Sequence, residues 1–203
     1  MPKNARQLFI SGPVGKLDCL ELLPTGTISG IAIICHPDPK GGGTNTNKIV
    51  QTIAKVLNQN GYICYCPNLR GVGMSEGEHD FGVGEVEDAQ AVYDYIRQTY
   101  PDIPLVLAGF SFGTGIASQL ASRVEHKKLI LVGPAVTRLN VVVPDSNKTI
   151  VIHGELDEVI ALDEVLAWGR THNQAIIWFP NTGHFFHGKL IALQNILSQF
   201  NLG

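Results

Sequence analysis

Leu105-Val106-Leu107-Ala108-Gly109-Phe110-Ser111-Phe112-Gly113-Thr114-Gly115 is the stretch on which the fold turns. Its first half is a short, continuously apolar run, the pattern of a strand buried on both faces. Its second half opens the helix-like string GTGIASQLA. Between them lies Gly-x-Ser-x-Gly. A serine presented there needs a sharp strand-to-helix reversal that strains its own backbone, and glycines on either side because side chains would clash across the turn. In a chain with 22 glycines the string alone decides little. The placement, strand before and helix after, gives it meaning. Ser75, Ser118 and Ser122 lack that context and read as loop or helix-surface residues.

Outward from this point the chain alternates strand-like and helix-like segments. Apolar runs at Gly30–Cys35, Tyr62–Cys66, Lys128–Val132, Thr149–His153 and Ala175–Phe179 have strand length. Helical periodicity links Ile49, Ile53 and Val56, with Gly61 placed to end that helix. It also links Val86, Ala89, Tyr93 and Ile96 before Pro101, and Leu190, Leu193, Leu197 and Phe200 near the end. Leu8–Ser11 and Leu17–Leu23, separated by Gly12-Pro13, suit an antiparallel hairpin at a sheet edge. The expectation is an α/β fold: one domain over residues 1–203, built on a mostly parallel, doubly wound sheet with an N-terminal antiparallel hairpin. Reactive groups in such sheets gather beyond the carboxyl ends of the strands.

Two further post-strand segments stand out. His153-Gly154-Glu155-Leu156-Asp157-Glu158-Val159 follows one strand, and Gly183-His184 in PNTGHFFHG follows the last. A serine nucleophile, a histidine base and an acid that orients it need to meet at one sheet edge, and their order here is serine, acid, histidine. Asp157, Glu155 and Glu158 are all candidates for the acid. His36 and His153 are expected to shape their loops, and His187 to help cap the last helix.

With these residues the chain resembles the α/β-hydrolase superfamily, in particular its small, lid-less bacterial serine hydrolases of the dienelactone-hydrolase-like subgroup. The similarity runs from about Ile31 to the last helix. It includes Asn68-Leu69-Arg70-Gly71-Val72-Gly73-Met74-Ser75, HGELDEV and GHFFHG. The resemblance implies the triad Ser111, Asp157 and His184. It also implies an oxyanion hole formed by the backbone N–H of Phe112 and an N–H from the loop His36-Pro37-Asp38-Pro39-Lys40. Pro37 and Pro39 have no N–H, so Asp38 is the donor expected there. Where this family often has a proline soon after the acid-loop valine, the chain reads Val159-Ile160-Ala161. The segment Gly133–Lys148, where many relatives insert a lid, is long enough only for a loop or one short helix.

Composition narrows the remaining classes. The net charge is −3 with no basic block, which argues against a nucleic-acid partner. No apolar run approaches a membrane span and the start lacks a signal-peptide pattern, so a cytoplasmic protein is expected. Cys19, Cys35, Cys64 and Cys66 read as core residues, three of them inside apolar runs. GGGTNTNK lacks the Gly-Lys-Ser/Thr of a phosphate-binding loop, and no cofactor or metal is called for. The expected activity is hydrolysis of a small carboxylic ester or thioester through an acyl-enzyme on Ser111. The alternative is a non-catalytic binding protein on the same fold. Oligomeric state is not encoded legibly.

Overall fold

The structure is a computed structural model and describes residues 5–200. Its centre is an eight-stranded sheet ordered β1-β2-β4-β3-β5-β6-β7-β8. The strands are β1 (Ala5–Gly12), β2 (Gly15–Leu22), β3 (Gly30–Cys35), β4 (Tyr62–Pro67), β5 (Leu105–Phe110), β6 (Lys128–Val132), β7 (Thr149–Gly154) and β8 (Ile176–Phe179). β1 and β2 form the antiparallel hairpin, and β2 pairs antiparallel with β4. All later pairings are parallel. Every residue of β3, β4, β5 and β7 is buried, which is why these strands read as unbroken apolar runs and not as alternating ones.

Helices cover both faces. On one side α1 (Lys48–Gln59) and α5 (Leu190–Gln199) pack over Ala32, Ile34, Val106 and Ile130. On the other, α2 (Gly84–Thr99), α3 (Phe112–Ala121) and α4 (Leu162–Thr171) pack over Ile33, Leu107, Leu129 and Val151. Asn47 caps α1 through its side-chain oxygen, which accepts the Ile49 N–H at 2.9 Å. Gly61, at φ +86°, takes the left-handed turn after it.

Helix α4 is absent from the periodicities read in the sequence. It buries only Val165 and Gly169 fully, too narrow a stripe to stand out from a solvated segment. Ser118 corrects another expectation. It is buried, donating from Oγ to the Gly115 carbonyl (3.0 Å) and accepting the Val142 N–H (3.2 Å). Ser75 lies in a loop as expected but is also buried, bridging the Asn68 carbonyl and the Asp18 N–H. All four cysteines are free thiols in the core. Among the described residues no helix is long and apolar enough to cross a membrane.

Two long connections rise above the carboxyl edge of the sheet. Residues 68–83, between β4 and α2, carry no helix and are held down by Arg70, whose guanidinium makes two bonds to the Asp88 carboxylate at 2.8 and 2.9 Å. Residues 133–148, between β6 and β7, also carry no helix and form no lid. Among the bonds that pin that segment to the body are Ala135 N–H to Thr114 Oγ1, Val142 N–H to Ser118 Oγ, and Trp168 Nε1–H to the Val141 carbonyl.

Candidate active site

Ser111 stands between β5 and α3 with φ +52° and ψ −118°. A non-glycine residue in that region costs about 1–3 kcal/mol, so its neighbours must hold it there. They do so through the Ser111 N–H, which donates to the Val132 carbonyl (2.9 Å), and the Ser111 carbonyl, which accepts the Thr114 N–H (2.9 Å). The flanking glycines are fixed by space. A Cβ on Gly109 would overlap the Gly113 carbonyl, and one on Gly113 would overlap the carbonyls of Cys35 and His36 at the end of β3. The tight turn therefore also presses α3 against β3.

The structure brings three of the sequence-derived residues into one chain of hydrogen bonds. His184 Nε2 lies 2.9 Å from Ser111 Oγ, and His184 Nδ1 lies 2.7 Å from Asp157 Oδ2. An ionised carboxylate only accepts, so Nδ1 carries the proton and Nε2 is free to accept one from the serine. The other Asp157 oxygen, Oδ1, accepts the N–H groups of Val159 (2.9 Å) and Ile160 (2.8 Å). Burial by itself pushes the Asp157 carboxyl up. Hydrogen bonds from His184, Ile160 and Val159, with the electrostatic pull of His184, outweigh it and hold the group below the usual carboxylate range.

The competing acids are occupied elsewhere. Glu155 Oε2 accepts the Asn181 N–H, and Glu158 Oε2 accepts the backbone N–H of His184. Glu158 thus fixes the histidine loop without touching the imidazole, a role the sequence does not reveal. His187 is exposed and makes no cap: Lys189 occupies that position of α5 with no side-chain bond to the helix. The histidine loop is anchored instead by the fully buried Phe186, whose ring meets Phe179 at 5.5 Å. Phe110, the residue before the serine, places its ring 5.0 Å beneath the His184 imidazole.

Phe112 is the first residue of α3, so its N–H has no acceptor within that helix. Asp38 lines the same cleft as Ser111. Its carboxylate is turned back on its own loop, where Oδ1 accepts the Lys40 N–H at 2.8 Å. Among the described residues no protein acceptor takes the Asp38 N–H. His36 ties this loop down: its Nδ1–H donates to the Pro37 carbonyl (2.7 Å), and its Nε2 accepts the Leu69 N–H (3.1 Å). Complete burial lowers the His36 pKa to about 4, so the ring is neutral as both bonds require. His153 shapes the acid loop in a similar way, with Nε2 at 3.0 Å from the Ile160 carbonyl and 3.5 Å from Asp157 Oδ2.

Two lobes of a cleft meet at Ser111. One, of about 200 Å³, is bounded by His184, Phe185 and the glycines 41–43. The other, of about 190 Å³, is walled by His79 and Phe81 from the β4–α2 connection and by Leu139 from the β6–β7 connection, and Arg138 borders both lobes. None of these four is singled out by its sequence context, because each reaches the cleft from a loop with no repeating pattern.

Comparison with known proteins agrees with this architecture. Residues 28–156 match the family model described as serine aminopeptidase, S33, a segment that contains Ser111 and stops just short of Asp157. An α-β serine hydrolase homologue from Coxiella burnetii superposes with a TM-score of 0.91 at 36% identity, covering 98% of this chain and 97% of that one. An α/β serine hydrolase without a lid from Xanthomonas campestris gives 0.90 at 36% identity, covering 97% and 93%. A protein of Rickettsia prowazekii is 34% identical over 166 residues, 78% of this chain and 70% of its own length. The chain is a hydrolase of the α/β-hydrolase superfamily and belongs to the serine aminopeptidase S33 family.

Proposed function

We propose that the chain is a serine hydrolase that cleaves a carboxylic ester or thioester through an acyl-enzyme on Ser111, with His184 as base and Asp157 as the acid that orients it. The observation that carries this reading is the unbroken line of bonds from Ser111 Oγ through His184 to Asp157, at 2.9 and 2.7 Å. In the first step Ser111 Oγ bonds to the substrate carbonyl carbon and His184 Nε2 takes its proton. The bond to the alcohol or thiol then breaks as His184 returns that proton to the leaving group. Water repeats the sequence and releases the acid. The Phe112 and Asp38 amides are the donors to the oxyanion formed in each step.

Because His184 must reach the leaving atom, the lobe it lines takes the leaving group. The lobe on the far side of Ser111 then takes the acyl group. The test is hydrolysis of a small activated ester by the Ser111→Ala variant. A loss on the order of 10⁴–10⁶ in kcat with an unchanged fold is expected. A variant that kept more than about a few per cent of the wild-type rate would overturn the assignment.

A further inference from the structure

The lining of the acyl lobe has a chemistry that simple ester cleavage does not require. Lys40, His79 and Arg138 all face it, among the apolar side chains of Phe81, Phe112 and Leu139. Four other cations are matched with carboxylates: Arg6 with Glu21, Arg70 with Asp88, Arg123 with Glu87 and Lys148 with Glu125. Lys40 and Arg138, like several other lysines and arginines, form no ion pair among the described residues. Lys40 instead rests its ammonium over the Phe81 ring at 4.2 Å. Arg138 donates from Nη2 to the Val159 carbonyl at 3.1 Å, which leaves its other N–H groups open.

The acids close to the lobe are already engaged. Asp38 accepts from the Lys40 amide. Glu85 sits buried behind His79, its two oxygens accepting the N–H groups of Asp80 (2.7 Å) and Gly82 (2.8 Å). His79 Nδ1 is buried 2.7 Å from Glu85 Oε1, so the Nε2 edge of the ring is the part open to the cleft. Two cations, Lys40 and Arg138, therefore border a small, partly apolar space next to the nucleophile, with the His79 ring also lining it, in a chain whose net charge is −3. A carboxylate is the group that pairs with both.

We propose that this lobe is a subsite for a carboxylate, and that the substrate is an ester or thioester whose short acyl group ends in one. The inference rests on the reading of Ser111 as nucleophile, and the volume of about 190 Å³ sets the acyl group as short.

Two esters of equal length test it: monoethyl glutarate, which ends in a carboxylate, and ethyl pentanoate, which ends in a methyl group, each followed by pH-stat. The expected kcat/KM ratio is roughly tenfold or more in favour of the glutarate ester at low ionic strength, shrinking as salt is added. Arg138→Gln and Lys40→Gln should each lower the ratio and the pair together should bring it near one. Lys55→Gln, on the outer side of α1, should leave it where it was. A ratio of one or less in an enzyme that cleaves the pentanoate overturns the proposal.

Calorimetric titration of Ser111→Ala with glutarate and with pentanoate judges the lobe separately. Saturable binding of glutarate alone, lost on adding Arg138→Gln, supports the subsite, and equal or absent binding of the two acids overturns it. If the wild type cleaves neither ester, the nucleophile reading fails while this titration still decides the subsite.

Discussion

His36 shows how much a single side chain can set at the residue scale. Its ring is fully buried and neutral, and its two nitrogens clamp the loop that carries Asp38 to the loop that begins at Asn68. Protonation would turn the Nε2 acceptor into a donor facing the Leu69 N–H, so the folded state resists it. Burial depresses the folded pKa from 6.5 to about 4. The unfolded chain therefore binds the proton first as the pH falls, and stability is lost from about 6.5 downward until it levels off below about 4. The full effect is worth roughly 3 kcal/mol. His153 and Asp157, whose folded pKa values are also lowered, act in the same direction. His36→Gln cannot titrate, so urea midpoints for that variant should fall less steeply between pH 7 and 4.5 than wild type. An equal decline in both proteins would show that His36 is not the group responsible.

At the scale of the element, the β5–Ser111–α3 turn positions the chemistry. Gly113 is where α3 touches the end of β3, and a methyl group there would meet two backbone carbonyls that cannot swing aside. Gly113→Ala should cost about 1–3 kcal/mol and displace the loop carrying Asp38, lowering kcat as well. Gly26→Ala, with nothing within 4 Å of the added carbon, is the control and should stay within about 0.5 kcal/mol. Thermal unfolding checks both, and a Gly113→Ala protein as stable as wild type would contradict the packing argument. This turn was legible in the sequence because its constraints are local: apolar strand, two glycines, helix. The central strands β3, β4, β5 and β7 were legible for the same reason, each being buried along its whole length. Helix α4 was not, since it buries so little, and neither were Phe110 and Glu158. Their parts in seating His184 depend on contacts between β5, the acid loop and the histidine loop, which no local pattern encodes. His79 and Arg138 escaped for want of any pattern in their loops.

Considered as a whole molecule, the chain leaves its reactive edge open. The β6–β7 connection is tied to α3 and α4 by hydrogen bonds and lies along the cleft as a wall. The β4–α2 connection forms the opposite wall, longer than a bare crossover and fixed by Arg70 and Glu85. With no lid, a long acyl chain would leave much of itself in water, forgoing about 0.8 kcal/mol for each methylene not buried. Nitrophenyl butyrate should therefore exceed nitrophenyl palmitate in kcat/KM, with no activation at a lipid interface. A monomeric preparation whose kcat/KM climbed steadily to long chains would contradict the open-cleft account.

That account depends above all on Ser111 being a nucleophile activated by His184, and covalent capture tests it most directly. The folded protein is incubated with a fluorophosphonate at neutral pH, and its mass and modified peptide are determined by mass spectrometry. One label per chain, on Ser111, is expected, with none on the Ser111→Ala variant and strongly slowed labelling of His184→Ala. An unlabelled wild-type protein, or a label that persists in Ser111→Ala, would contradict it.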